Sequence, residues 1–450
     1  MRRTSRRRFL MMTGTTGVGL SLPAKLVLGQ LDGDGVPFTD YRALVCVFLL
    51  GGNDSFNMLV PRSPAEYNAY ASSRQNMALP RDDLLPIAPV GSGSREFGLH
   101  PAMPELQALF ESGHAAFVVN VGPLVEPTTK AAYLDGAVRL PPRLFSHSDQ
   151  QAQWHMLASP IQSKVGWAGR IADLIRANVA EQRLTTNISL SGATLFQSAS
   201  LSRPYIMGAD GPAGFLGLGT SGRGLTRRRA YERLLTADYD SIYVREYADL
   251  QLRALSTLEL IENLLNEAPP LTAQFPDSDL GERLRTIAKL IAVHDRLDMK
   301  RQIFFTSIGD FDTHDDQLKR HPRLLADVSA SLAAFHEATV ELGVSEQITA
   351  FTQSDFARTL TSNGDGTDHG WGGVQIVVGG AVRGRALYGE YPSLELDGPE
   401  EVGRGRLIPG ISADQYAATL ARWFGIPDPD LDAVAPNLRN FAQRDLGFMI

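Results

Sequence analysis

The chain has 450 residues, 43% of them hydrophobic and 21% charged, an ordinary composition for a globular protein with a sizeable core. Its 43 Lys and Arg are outnumbered by 50 Asp and Glu, which excludes a broadly basic nucleic-acid binder and a protein held to anionic membranes by charge. Cys46 is the only cysteine, so an intrachain disulfide and a CxxC metal or redox site are excluded as well.

Residues 1–29 read as a twin-arginine export signal. Ser5-Arg6-Arg7-Arg8-Phe9-Leu10 precedes an apolar run, 11–22, that Gly and Thr dilute. That run is shorter than the roughly 20 apolar residues a membrane span needs, so no span is expected in the mature chain. The expectation is passage through the twin-arginine export machinery to the periplasm or beyond.

Residues 41–50 form a near-continuous apolar run of strand length, typical of a central strand covered on both faces. It stops at Gly51-Gly52-Asn53-Asp54, which leaves Asp54 just beyond the strand's carboxyl end; Cys46 reads as a small buried residue within it. A helix over 102–112 and a second apolar strand over 115–121 follow, and strand, helix, strand at this spacing predicts a βαβ unit with parallel pairing. Ser146-His147-Ser148-Asp149 opens the next helix. Residues 185–275 read as an insertion, irregular at first and then helical from Arg229. A helix over 280–295 and a strand over 301–308 come next. This strand also ends in a polar cluster, with the acids Asp310 and Asp312 and the histidine His314. A helix over 323–343 leads to the strand 348–352, which runs into Ser354-Asp355 and a Gly-rich loop closing on Asp368-His369. A strand over 374–378 and a helix over 412–424, with Ser412 as its cap and Gly425 as its stop, complete the pattern. One domain over 30–450 fits this order.

In a parallel sheet the carboxyl ends of strands share an edge, where open α/β sheets build their sites. Asp54, Asp312, His314, Asp355, Asp368 and His369 can therefore meet although they are far apart in sequence. Crowded carboxylates repel unless a cation neutralises them. A mixture of Asp and His without thiolates points to a divalent ion, with zinc, manganese, iron or calcium as the candidates. Each cluster also has a bland alternative. Asp54 can serve as a turn former, Asp312 and His314 as caps, His369 as a loop hydrogen-bonder and His147 as a helix cap. Arg358 suits either an anionic substrate or a structural ion pair.

The stretches GGNDSFNMLVP, LFSHSDQQ, FDTHDDQ, SDFARTLTSNGDGTDHGWGG and GGAVRGR together resemble a broad bacterial family of exported proteins, domain of unknown function 1501. The resemblance runs from about residue 42 to 426, and that family looks like a distant branch of the alkaline phosphatase and sulfatase superfamily. It implies an alkaline-phosphatase-like α/β fold: a mainly parallel central sheet between helices, with helical and irregular insertions. It further implies Asp54, Asp312, His314, Asp355 and His369 as metal ligands. Ser146 or Ser148 is the nearest analogue of the superfamily's nucleophile, with His147 between them. There is no C-x-P-x-R sequence, so formylglycine chemistry is not implied. Phe356 stands where the superfamily often has a histidine after the aspartate, which would remove a ligand.

The expected function is metal-dependent hydrolysis of a small phosphate or sulfate ester. The competing expectation is a non-catalytic exported binding or assembly protein that keeps the fold.

Overall fold

The computed structural model describes residues 36–157 and 164–450; the export signal expected at 1–29 lies outside them. The first strand, β1 (Arg42–Leu49), is the middle of a nine-stranded sheet. It alternates its side chains between two cores. Ala43, Val45, Val47 and Leu49 enter one, and Leu44, Cys46 and Phe48 enter the other. Burial on both faces is why the run is apolar without interruption.

Helix α1 (Pro64–Arg74) and helix α2 (Pro104–Glu111) lead to β2 (Ala115–Gly122). Then come α3 (His147–Met156), α4 (Trp167–Leu174) and the short strands β3 (Asn187–Ser189) and β4 (Tyr205–Ile206). Helices α5 (Gly222–Leu235) and α6 (Ile242–Asn266) form a hairpin with a small core of its own around Leu235, Ala248 and Leu255. Helix α7 (Asp279–Ala292), β5 (Arg301–Ile308), α8 (Gln317–Glu341) and β6 (Ile348–Ser354) return the chain to the sheet. A two-stranded ribbon, β7 (Arg358–Ser362) and β8 (Thr367–His369), precedes β9 (Gly373–Gly379) and β10 (Leu387–Tyr388). The last sheet strand, β11 (Ile411–Ser412), runs into α9 (Ala413–Phe424), which has a capping box at Ser412 and Gln415 and stops at Gly425 with φ 116°.

The strand order is β10-β2-β9-β6-β1-β5-β3-β4, with β11 also on β2. β1 pairs in parallel with both β5 and β6, so the ends of all three open on one edge. The mixed α/β fold with a mainly parallel central sheet is as expected. The βαβ unit is not formed as expected. β2 does not pair with β1; β9 and β6 lie between them, and β9 is antiparallel to both of its neighbours. Among the described residues no helix is long and apolar enough to cross a membrane.

Candidate metal centre

Beyond β1 the chain turns through Gly51 and Gly52, whose φ values of 113° and 89° favour glycine. Close packing excludes a side chain there too. A Cβ on Gly51 would stand 2.3 Å from the Asp312 nitrogen, and one on Gly52 would stand 2.4 Å from the Phe356 ring. The two glycines let the loops after β1, β5 and β6 close on one another.

Asp312, in the loop after β5, is the centre of the cluster. Its carboxylate lies 3.4 Å from His147 Nε2, 3.0 Å from His314 Nε2 and 3.4 Å from His369 Nε2. His147, Asp312 and His369 each offer one ligand atom, and these atoms lie within 4.8 Å of one another. The other nitrogen of every ring is already engaged. His147 Nδ1 donates to Asp355 at 2.7 Å, His314 Nδ1 to Asp368 at 3.2 Å, and His369 Nδ1 to the Phe145 carbonyl at 2.8 Å. Carboxylates and carbonyls only accept, so these protons sit on Nδ1 and each neutral ring keeps a lone pair on Nε2. Metal-binding histidines are held in this way. His314 and His369 bring their Nε2 atoms to 2.9 Å. Two lone pairs that close repel unless a proton or a cation lies between them.

The sequence explains how each partner is delivered. His147 is the first residue of α3 and Gln151 lies four residues on, so both face the same way. Gln151 Nε2 donates to Asp355 at 2.8 Å, and the Gly51 N–H donates to the other Asp355 oxygen at 3.1 Å. Phe145 and Arg143 have φ of 72° and 52°, a local strain of the kind that collects at functional sites. At Phe145 this turn aims the carbonyl at His369.

The hydrogen bond to Asp355 raises His147 above the ordinary imidazole value. Burial lowers His369. Burial works to raise Asp312, but the hydrogen bond and charge of Arg358 hold it below the usual carboxylate range. Phe356 supplies no ligand. Its ring stacks on His369 at 4.6 Å and lies 4.8 Å from His147, walling the two imidazoles. Asp312 and His314 keep 42% and 40% of their side-chain surface exposed, so the cluster is open to solvent on that side.

Three expectations need correction. Asp54 is fully buried and bonded to none of the cluster. It forms an ion pair with buried Arg74 and accepts from Gln317, so a guanidinium balances the charge that a metal was expected to balance. Arg358 is not free to grip a substrate. Its guanidinium donates to Asp312 at 2.5 Å, to the Gly51 carbonyl, and to the carbonyl and hydroxyl of Thr367. Ser146 Oγ donates to Asp149 at 2.7 Å and Ser148 is exposed. Among the described residues no serine hydroxyl is bonded to His147, Asp312 or His369.

Asp355 and Asp368 belong to the site, but as acceptors behind His147 and His314. Gln151, the Phe145 carbonyl, Arg74 and Gln317 were not anticipated. Only Gln151 had a sequence signal, its i+4 spacing from His147. The donor set of imidazoles with one carboxylate fits zinc, manganese or iron. Calcium, which takes oxygen ligands, does not fit.

The family model described as "Protein of unknown function (DUF1501)" matches residues 41–403. No curated protein matches the chain. Similar solved structures include the lipoteichoic acid synthase LtaP from Listeria monocytogenes, at 9% identity and TM-score 0.36, with 93% of this chain and 81% of that one covered. The soluble domain of lipooligosaccharide phosphoethanolamine transferase A from Neisseria meningitidis is similar at 7% identity and TM-score 0.35, covering 90% and 95%. A phosphonate monoester hydrolase from Silicibacter pomeroyi is similar at 8% and 0.32, covering 86% and 73%.

Proposed function

The chain belongs to the DUF1501 family of proteins of unknown function, and from that footing we propose that it is an exported, metal-dependent hydrolase of phosphate or sulfate esters. One observation carries the reading. Asp355 and the Phe145 carbonyl accept hydrogen bonds from the Nδ1–H groups of His147 and His369, which turns both Nε2 lone pairs toward Asp312. His147, Asp312 and His369 would hold a zinc, manganese or iron ion, with His314 on the open side. Such an ion, when bound, polarises an ester oxygen and lowers the pKa of a water.

The chain's own residues provide the rest. Asp355 keeps the His147 proton on Nδ1, and Arg358 keeps the Asp312 carboxyl ionised and in place. Phe356 excludes water from the inner side of the rings, and the exposed side of Asp312 leaves a way in for water and a small anionic ester. Water rather than serine is the nucleophile in this reading, because Ser146 Oγ is given to Asp149. The motif resemblance to the alkaline phosphatase and sulfatase superfamily supports the ester class. The Ser5–Leu10 block supports delivery by the twin-arginine export machinery.

The test is turnover of an aryl phosphate, a phosphodiester and an aryl sulfate by freshly purified protein, with and without chelation. Chelator-sensitive turnover lost in His369→Ala supports the reading. The commitment of every Arg358 nitrogen favours a second one, a binding or assembly protein that keeps a metal without catalysis. Metal retained with no turnover of any ester would select it.

A further inference from the structure

The α5–α6 hairpin carries a feature unrelated to the metal cluster. Helix α6 turns Ala248 and Leu255 into the hairpin's core. On another side of its first turns, Tyr243, Tyr247 and Leu250 are 85%, 59% and 54% exposed, and Ala254 is exposed with them. These four positions recur at i, i+4, i+7 and i+11, the spacing of a coiled-coil seam. A scattered apolar residue on a surface needs no explanation, whereas a continuous stripe at seam spacing marks a contact. Glu246 and Arg253, seven residues apart, line one edge of the stripe, where they sit 3.3 Å from each other.

We propose that two copies of the chain associate through this stripe, with their α6 helices antiparallel about a two-fold axis. The stripe is complementary to itself in that arrangement. When Tyr247 of one copy lies over Leu250 of the other, Tyr243 meets Ala254, large against small. Glu246 of each copy then meets Arg253 of the other, and symmetry makes the ion pair twice. In a parallel arrangement Tyr243 would meet its own equivalent, and Glu246 would face the uncharged Gln251. The stripe is about 16 Å long at 1.5 Å per residue, which is short for an interface. The association is therefore weak and dependent on concentration.

Sedimentation equilibrium of the mature protein over a concentration series at low salt tests this. The wild type forms a reversible dimer, and Leu250→Arg abolishes it. Glu246→Arg and Arg253→Glu each weaken it by about tenfold, since each sets like charges against one another twice. The double exchange, Glu246→Arg with Arg253→Glu, restores it. Circular dichroism confirms that the variants are folded. A chain that stays monomeric throughout, or a dimer indifferent to these substitutions, overturns the proposal. So does a monomer that binds anionic lipid vesicles through the same residues, because the stripe would then face lipid.

Discussion

The buried carboxylate of Asp355 holds His147 by its Nδ1 at 2.7 Å, and so decides which nitrogen of that ring faces Asp312. Asp355 is thus a positioning residue. Its substitution should change the metal affinity without removing a ligand atom. Asp355→Ala is expected to weaken zinc binding by about 10–100-fold, with Asp355→Asn closer to wild type because an amide oxygen can still accept the Nδ1–H hydrogen bond. Competition with a chromogenic chelator measures this. Equal affinity in Asp355→Ala and wild type would show that His147 needs no orientation.

Asp54 and Arg74 are both fully buried and pair with each other. Removing one partner strands the other charge, so Asp54→Ala should cost about 3–5 kcal/mol of stability. It should leave the metal stoichiometry of the folded protein unchanged. Denaturant unfolding and metal analysis of the same sample separate the two effects. Loss of metal from folded Asp54→Ala would return Asp54 to the ligand set.

Gly52→Ala should be destabilising by about 2 kcal/mol or more. The backbone there has φ 89°, and the new Cβ would meet the Phe356 ring. Because that ring stacks on His369, metal affinity should fall together with stability. A variant as stable as wild type would contradict the packing described.

Stability should fall in acid. Burial pushes His100, His155 and His321 down to about 3. Their folded values lie below the unfolded 6.5, so their contribution is present above pH 6.5 and lost as pH falls toward 3. Asp414 acts in the opposite sense. Burial pushes it from 3.8 up to about 7, so its contribution is full below 3.8 and lost as pH rises through 7. Three groups outweigh one, and the melting temperature should drop between pH 7 and 4. Asp414→Asn keeps an acceptor for the Asn437 N–H, so it should raise the melting temperature at pH 8 but not at pH 4. A wild-type melting temperature that rises on acidification would contradict this.

Much of the sheet was legible because a strand buried on both faces must be apolar throughout, as β1 is. Strand direction was not legible. The apolar run of β9 reads the same whether it lies parallel or antiparallel, and only its contacts with β2 and β6 decide. Within the candidate site, acids and histidines at strand ends pointed to loops that the fold brings together. They could not tell Asp312, at the centre of the cluster, from Asp54, which Arg74 neutralises from 20 residues away and to which Gln317 donates from 263 residues away. Such long-range partners leave no local pattern. His147 looked like a helix cap or a catalytic group until the fold brought Asp355 behind it.

His147, Asp312 and His369 are proposed to hold one metal ion between them. Elemental analysis of freshly purified residues 30–450, run beside His147→Ala, His369→Ala and Asp54→Asn, decides whether they do. About one equivalent of zinc, manganese or iron per chain is expected, lost in both histidine variants and kept in Asp54→Asn. Wild-type protein without bound metal, or metal that survives both histidine substitutions, would contradict it.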